Sequence, residues 1–134
     1  MSKDRFVERQ AKVGNAAARL REAVAAPESS IVRDAVIQRF EFSFELVWKT
    51  LKLYLERQGH ECGGPRPTLK KAFAEGLIPS AEEADVWSQM LEDRNLASYA
   101  YDEALATRIY RNVVRDYSPL LSSMAARLQT LKWE

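Results

Sequence analysis

The sequence contains only one cysteine, Cys62, and one histidine, His60, among its 134 residues. A single thiol cannot form a disulfide within the chain, and small secreted proteins usually contain several cysteines. A zinc site needs more cysteine and histidine ligands than this pair, which lies in an exposed glycine-rich loop. A catalytic Cys–His pair would also lack a third group to orient it. We therefore expect no metal site, no cofactor and a cytoplasmic protein.

The chain also lacks a strong net charge and a long apolar run. Its formal charge of +1 does not draw it toward nucleic acid or anionic lipid. No apolar run is long enough to span a bilayer, and the first ten residues lack the apolar segment of a signal peptide. Hydrophobic residues make up 46% of the chain, which is ordinary for a soluble globular protein. We expect a single domain, residues 1–134, and no membrane contact.

Glycine and proline are scarce, and most of them fall between the predicted helices. Ser29 or Ser30 would cap the second helix, Ser80 and Glu83 form a capping box, and Pro119 predicts a kink near Tyr117. We predict an all-α antiparallel up-and-down bundle of about five helices, one of them short. The predicted helices are Ser2–Ala26, Ile31–Gln58, Pro67–Glu75, one from Ser80, and one from Asp102 to about Lys132.

The long segment Ile31–Gln58 contains no glycine or proline and is apolar on more than one side. Such a helix needs cover on more than one side, so it takes a central position in the bundle, contacts a partner subunit, or does both. Its apolar residues recur at helical spacing: Val32, Val36, Phe40, Val47, Leu51 and Tyr54 on one row, Ile37, Phe44, Trp48 and Leu55 on the next, and Phe42, Leu46 and Leu53 elsewhere.

The segment MLEDRNLASYAYDE, residues 90–103, holds the residue types best suited to binding a phosphate. On a continuous helix Asn95 and Tyr99 would share a face, and Arg94 would align with Tyr101. An arginine beside an amide and two phenols would form an anion clamp, because its planar fork pairs with phosphate oxygens. The alternative is structural: Arg94 pairs with a nearby carboxylate (Glu92, Asp93 or Asp102), and the tyrosines fill a seam between helices.

Three segments in register, VRDAVIQRFEFSFELVWKTLK, KAFAEGLI and MLEDRNLASYAYDE, resemble the nucleotidyltransferase substrate-binding proteins, a branch of the HEPN superfamily. The resemblance covers nearly the whole chain. It implies a helical bundle that forms a homodimer and partners a small nucleotidyltransferase. Some related pairs act as toxin and antitoxin.

The family signature is Arg-Asn, three residues, His, one residue, Tyr. Arg94, Asn95 and Tyr101 match it, whereas Tyr99 stands at the histidine position. In HEPN ribonucleases the arginine steadies phosphate charge and the histidine transfers a proton. Tyrosine is a poor substitute because its usual pKa is near 10. By the resemblance, Arg94, Asn95 and Tyr101 would contact nucleotide or phosphate, and Tyr101 would be the residue that related transferases modify with adenylate.

Charge also argues against RNA cleavage at this segment. Seven acids accompany the single base Arg94 between Pro79 and Glu103, and such a strip repels a phosphate polymer. RNA would bind only if a dimer brought the more basic first and last helices around Arg94. The strip would be a solvated face or a docking surface for a basic partner. The seven acids are Glu82, Glu83, Asp85, Glu92, Asp93, Asp102 and Glu103.

The leading hypothesis is therefore a non-catalytic helical subunit that homodimerises, associates with a small nucleotidyltransferase, and binds or presents its substrate. The runner-up is a metal-independent endoribonuclease toxin that uses Arg94, Asn95 and Tyr99. A third interpretation is a plain structural dimerisation module, in which Arg94 only joins helix ends.

Overall fold

The computed structural model describes residues 2–134, which form an all-helical bundle with no strand among them. The predicted all-α bundle is confirmed. None of the helices in this part of the chain combines the length and hydrophobicity of a membrane span. The elements are α1 (Ser2–Ala25), α2 (Ser30–Arg57), α3 (Pro65–Ala74), α4 (Ala81–Leu96), a 3₁₀ turn (Ala97–Tyr99), α5 (Glu103–Asn112), a π turn (Val113–Tyr117) and α6 (Ser118–Thr130).

Helix α2 is the centre of the bundle and packs against all five other helices. The predicted rows on α2 lie in the core: the Phe40 ring stacks on Tyr117 at 5.2 Å between centroids, and Phe44 lies 6.2 Å from Trp87. Two large apolar side chains of this helix remain outside the core, Ile31 at 79% exposed and Phe42 at 61% exposed. The fully or almost fully buried apolar residues of α2 are Val36, Ile37, Phe40, Phe44, Val47, Trp48, Leu51 and Leu55.

Side-chain caps begin three of the helices where the sequence places them. The hydroxyls of Ser29 and Ser80 and the carboxylate of Asp102 each accept a hydrogen bond from the backbone N–H three residues later, at 3.0–3.1 Å. Each bond satisfies one of the free N–H groups of a first helical turn. Helix α3 begins at Pro65, two residues earlier than predicted. It ends before Gly76, whose φ of +81° is the left-handed conformation typical of the residue that follows a helix.

The predicted capping box at Ser80 is only half formed, because Glu83 is engaged elsewhere. Its carboxylate accepts a bond from the Trp87 indole N–H at 3.1 Å. It also receives both ends of the Arg127 guanidinium, at 2.8 and 2.9 Å. This two-pronged ion pair joins the first turn of α4 to the far end of α6.

Helices α5 and α6 continue one another through the π turn, which lies just before Pro119 and at the predicted position of the kink. A π turn holds more residues than an α turn, so it shifts the inward face along the sequence. The buried residues accordingly run from Val113 to Tyr117 and Leu121, each 0% exposed. Leu120, beside Leu121, is half-buried and packs against the core from its edge.

Candidate functional site

The four signature residues follow one another across the end of α4. Arg94 and Asn95 belong to its last turn, Tyr99 closes the 3₁₀ turn, and Tyr101 lies in the loop before α5. The predicted alignment of Asn95 with Tyr99, and of Arg94 with Tyr101, assumed an uninterrupted helix. It does not hold, because α4 ends at Leu96 and the tighter 3₁₀ turn changes the angle between successive side chains.

Arg94 forms an ion pair with Glu45 of α2 and donates a hydrogen bond to the Asn95 side-chain oxygen at 3.0 Å. The arginine and the glutamate side chains are only 29% and 27% exposed, so the pair is partly shielded from water. The structural alternative placed the carboxylate partner within Glu92–Asp102. That expectation is wrong about the partner, which comes from the neighbouring helix instead.

A second carboxylate, Glu41, lies one turn before Glu45 on α2. Burial raises the pKa of Glu41, and the charge of Arg94 partly opposes that rise. The Arg94 charge is therefore influenced by two carboxylates of the same helix. An incoming phosphate would have to compete with them for the guanidinium.

The two tyrosines are exposed and make no side-chain hydrogen bond within residues 2–134. Tyr99 is 55% exposed and Tyr101 is 88% exposed. Tyr101 borders a cleft of about 510 Å³ between the first half of α2 and the start of α5, together with Arg33 and Glu41. Arg33 is itself paired, to Glu28 at 3.0 Å and to Glu103 at 3.6 Å. The structure thus brings Arg94 and Asn95 together and leaves Tyr99 and Tyr101 free at the surface.

Sequence reasoning missed the role of Asp93, which is 4% exposed directly beside Arg94. Its carboxylate accepts three hydrogen bonds from the segment of α5 and the π turn: from Arg108 at 2.9 Å, Asn112 at 3.0 Å and Tyr117 at 2.6 Å. Burial and the adjacent carboxylate raise the pKa of Tyr117 far above its usual value. The network fixes the last turn of α4, which carries Arg94. The four-residue spacing of Arg108 and Asn112 is the only sequence signal for it.

The acidic strip is therefore less acidic at its surface than the sequence suggests. Asp93 is buried, Glu83 is bound to Arg127, and Asp102 caps α5. The predicted acidic strip loses two of its seven acids, and the other five are exposed. The exposed acids are Glu82, Asp85, Glu92, Asp102 and Glu103.

The cysteine and histidine lie apart from this site, in the loop after α2. Cys62 is buried at 8% exposed, which corrects the expectation that both are exposed, and burial raises the pKa of its thiol. His60 Nε2 lies 3.1 Å from the Glu75 carboxylate at the end of α3. Within residues 2–134 no three His, Cys, Asp or Glu side chains form a group suited to a metal ion.

The sequence and the fold were compared with known families and solved structures. The family model described as nucleotidyltransferase substrate binding protein like matches residues 8–130. A solved structure, that of a protein from Thermus thermophilus, is 37% identical. Its match covers 87% of this chain and 98% of that chain, with a TM-score of 0.80. No curated protein matches the sequence.

Proposed function

The chain belongs to the nucleotidyltransferase substrate-binding protein-like family, and from this membership we propose that it is a non-catalytic subunit that binds a small nucleotidyltransferase and holds or presents its substrate. The observation that carries the non-catalytic part is the state of Arg94. Its guanidinium is already paired with Glu45, and the position of the family histidine is filled by Tyr99. A HEPN ribonuclease centre uses a histidine as its proton-transfer group, and the one histidine of the chain, His60, lies at Glu75 and not at Arg94.

We further propose that the chain forms a homodimer through the side of the bundle around Phe42. Phe42 lies between Glu41 and Glu45 in sequence, and Arg94 joins α4 to α2 at this level. Phe42 is 61% exposed and borders a groove between α1 and α2 together with Ala16, Arg19 and Arg39. A large exposed apolar side chain rimmed by charges is typical of a protein interface.

Tyr101 is the proposed acceptor if the partner transfers adenylate to this subunit. Its exposure of 88% leaves the hydroxyl free to attack the α-phosphorus of ATP. The new bond joins the phenol oxygen to phosphorus, the bond to the β-phosphate breaks, pyrophosphate leaves, and the phenol proton passes to solvent. The product would place an anion at the cleft that Tyr101 shares with Arg33.

Co-purification from the native host, followed by sedimentation, tests the proposal. We expect a nucleotidyltransferase to accompany the wild-type chain, and the chain alone to sediment as a dimer. Phe42→Ser should shift the dimer toward monomer, whereas the matched change Phe73→Ser, at another exposed phenylalanine (42%), should not. A stable monomer at micromolar concentration would refute the homodimer, and a dimer that never retains a transferase would refute the main proposal.

A further inference from the structure

A second candidate site is a groove between the first half of α1 and the last third of α2, and its Lys49 contacts the same Glu45 that pairs with Arg94. The groove has a volume of about 390 Å³. On α2 the linings of the Tyr101 cleft and of this groove come within seven residues of each other, at Glu41 and Trp48, which corresponds to about 10 Å along the helix. The residues that matter for its chemistry are Arg5, Arg9, Trp48, Lys49, Lys52 and Glu56.

The groove concentrates positive charge in a chain that is almost neutral. Its four basic side chains face one carboxylate, Glu56, so its formal net charge is +3, whereas the whole chain carries +1. Arg5 and Arg9 are four residues apart on α1, and Lys49 and Lys52 are three apart on α2. Each pair therefore occupies neighbouring turns on one side of its helix. The two helices pack directly against each other, which brings the pairs together.

These cations are also poorly neutralised by the protein itself. Arg5, Arg9 and Lys52 have no ion-pair partner within residues 2–134, and only Lys49 contacts a carboxylate, Glu45, at 3.4 Å. Arg9 and Lys52 are nevertheless half-buried. Holding unpaired cations close together out of bulk water is unfavourable, and an anion that enters the groove would relieve that cost.

The aromatic residue at the groove favours phosphates over a nucleobase. Trp48 is only 9% exposed, so its ring offers no open face on which a base could stack. Its buried indole N–H has no hydrogen-bond acceptor within residues 2–134, and the Lys49 ammonium lies 5.9 Å from its ring centroid. The donors that the groove offers are therefore its four cationic side chains, and the ligand must supply hydrogen-bond acceptors.

The spread of the unpaired cations favours more than one phosphate. Arg5 and Arg9 lie on α1 and Lys52 lies on α2, whereas Lys49 already pairs with Glu45. A single phosphate group carries about −1.5 to −2 at neutral pH and presents its oxygens at one point, whereas two or three linked phosphates can present oxygens to both helices. We propose that this groove binds a chain of linked phosphates, either as free pyrophosphate or polyphosphate or as the phosphate end of a nucleotide.

Calorimetric titration of the chain alone tests this assignment with orthophosphate, pyrophosphate, tripolyphosphate and ATP as probes, without added metal. We expect tripolyphosphate to bind at least about tenfold more tightly than orthophosphate, because each added charge-assisted contact contributes on that scale. ATP that binds as tightly as tripolyphosphate would identify the nucleotide as a source. If the groove does not bind ATP, the ligand is a free chain of linked phosphates and not a nucleotide. Because no partner is present, the result does not depend on association with a nucleotidyltransferase.

Matched variants separate the groove from general charge. Arg9→Gln with Lys52→Gln should weaken tripolyphosphate binding by about tenfold or more, since two charge-assisted contacts are lost. Arg66→Gln with Lys70→Gln removes the same charges from exposed positions on α3 and should change the affinity less than about twofold. Arg9→Lys with Lys52→Arg keeps the charges and should retain most of the binding. Thermal melts check that each variant is folded.

Three results would overturn the assignment. One is the absence of tripolyphosphate binding to the wild-type chain. Another is an equal loss of tripolyphosphate affinity in the groove variant and in the α3 variant, which would show that only the overall charge matters. The third is a nucleic-acid strand that binds at the groove and is not displaced by tripolyphosphate, because the ligand would then be a polymer backbone.

Discussion

Removing the Tyr117 hydroxyl tests whether the buried Asp93 network holds the end of α4. In Tyr117→Phe the ring and its stacking on Phe40 remain, while the bond of 2.6 Å to the Asp93 carboxylate is lost. A buried hydrogen bond to a charged group contributes about 1.5–3 kcal/mol. Asp93 keeps its bonds from Arg108 and Asn112, so we expect a loss of about 2 kcal/mol, toward the lower part of that range.

The loss should be visible in thermal and urea denaturation. For a domain of 134 residues the entropy of unfolding is about 0.28 kcal/mol/K, so a loss of about 2 kcal/mol lowers Tm by roughly 7 °C. Tyr99→Phe is the matched control, because that hydroxyl is exposed and makes no hydrogen bond within residues 2–134. Its Tm should stay within about 1 °C of the wild type, as for most surface changes.

The same residue predicts a dependence on alkaline pH. The pKa of Tyr117 in the folded protein is raised above its unfolded value of about 10. Its contribution to stability is therefore complete below pH 10 and is lost as the pH rises toward the folded pKa, by about 1.4 kcal/mol per pH unit. The advantage of the wild type over Tyr117→Phe should shrink in that range. Equal melting of Tyr117→Phe and Tyr99→Phe at neutral pH would refute the reasoning.

Two further predictions concern the carboxylates around Arg94. Arg94→Ala should lower the free energy of unfolding by about 1 kcal/mol, because its ion pair with Glu45 is partly shielded from water. RNA incubated without metal should remain intact with the wild type and with the variant. Cleavage by the wild type alone would revive the ribonuclease hypothesis. Glu41→Gln should raise stability at pH 7, because burial raises the pKa of Glu41 and its ionised form is disfavoured in the folded state. That gain should fade in urea titrations as the pH falls toward 4.5, and a gain that is independent of pH would contradict this explanation.

Local signals in the sequence predicted most of the fold. Helical periodicity identified the buried rows of α2, and Ser80 and Asp102 marked helix starts because a side-chain cap acts within one turn. The same local reasoning failed where a partner lies on another helix. Glu83 belongs by sequence to a capping box, yet Arg127, forty-four positions away, forms the stronger contact with its carboxylate. No spacing rule connects such positions.

In the candidate site, too, local signals were predictable from the sequence and contacts between helices were not. The sequence indicates that Arg94 has a carboxylate partner, but the partner Glu45 comes from α2, whose apolar pattern gives no sign of this contact. From the sequence alone Asp93 counts as one acid of the acidic strip, because nothing local reveals that Tyr117 turns inward at the π turn. Predicting either contact requires the packing of three helices.

The π turn makes the length of its segment more important than its composition. Each residue of a helix advances the side chains by about 100°, and the π turn at Val113–Tyr117 already holds one residue more than an α turn, so one further inserted residue would rotate everything that follows by about that angle. Leu121 and Leu128 would turn out of the core, and Arg127 would move away from Glu83. A single insertion there should therefore be more damaging than most point changes, whereas a deletion can be absorbed by conversion of the π turn to an α turn.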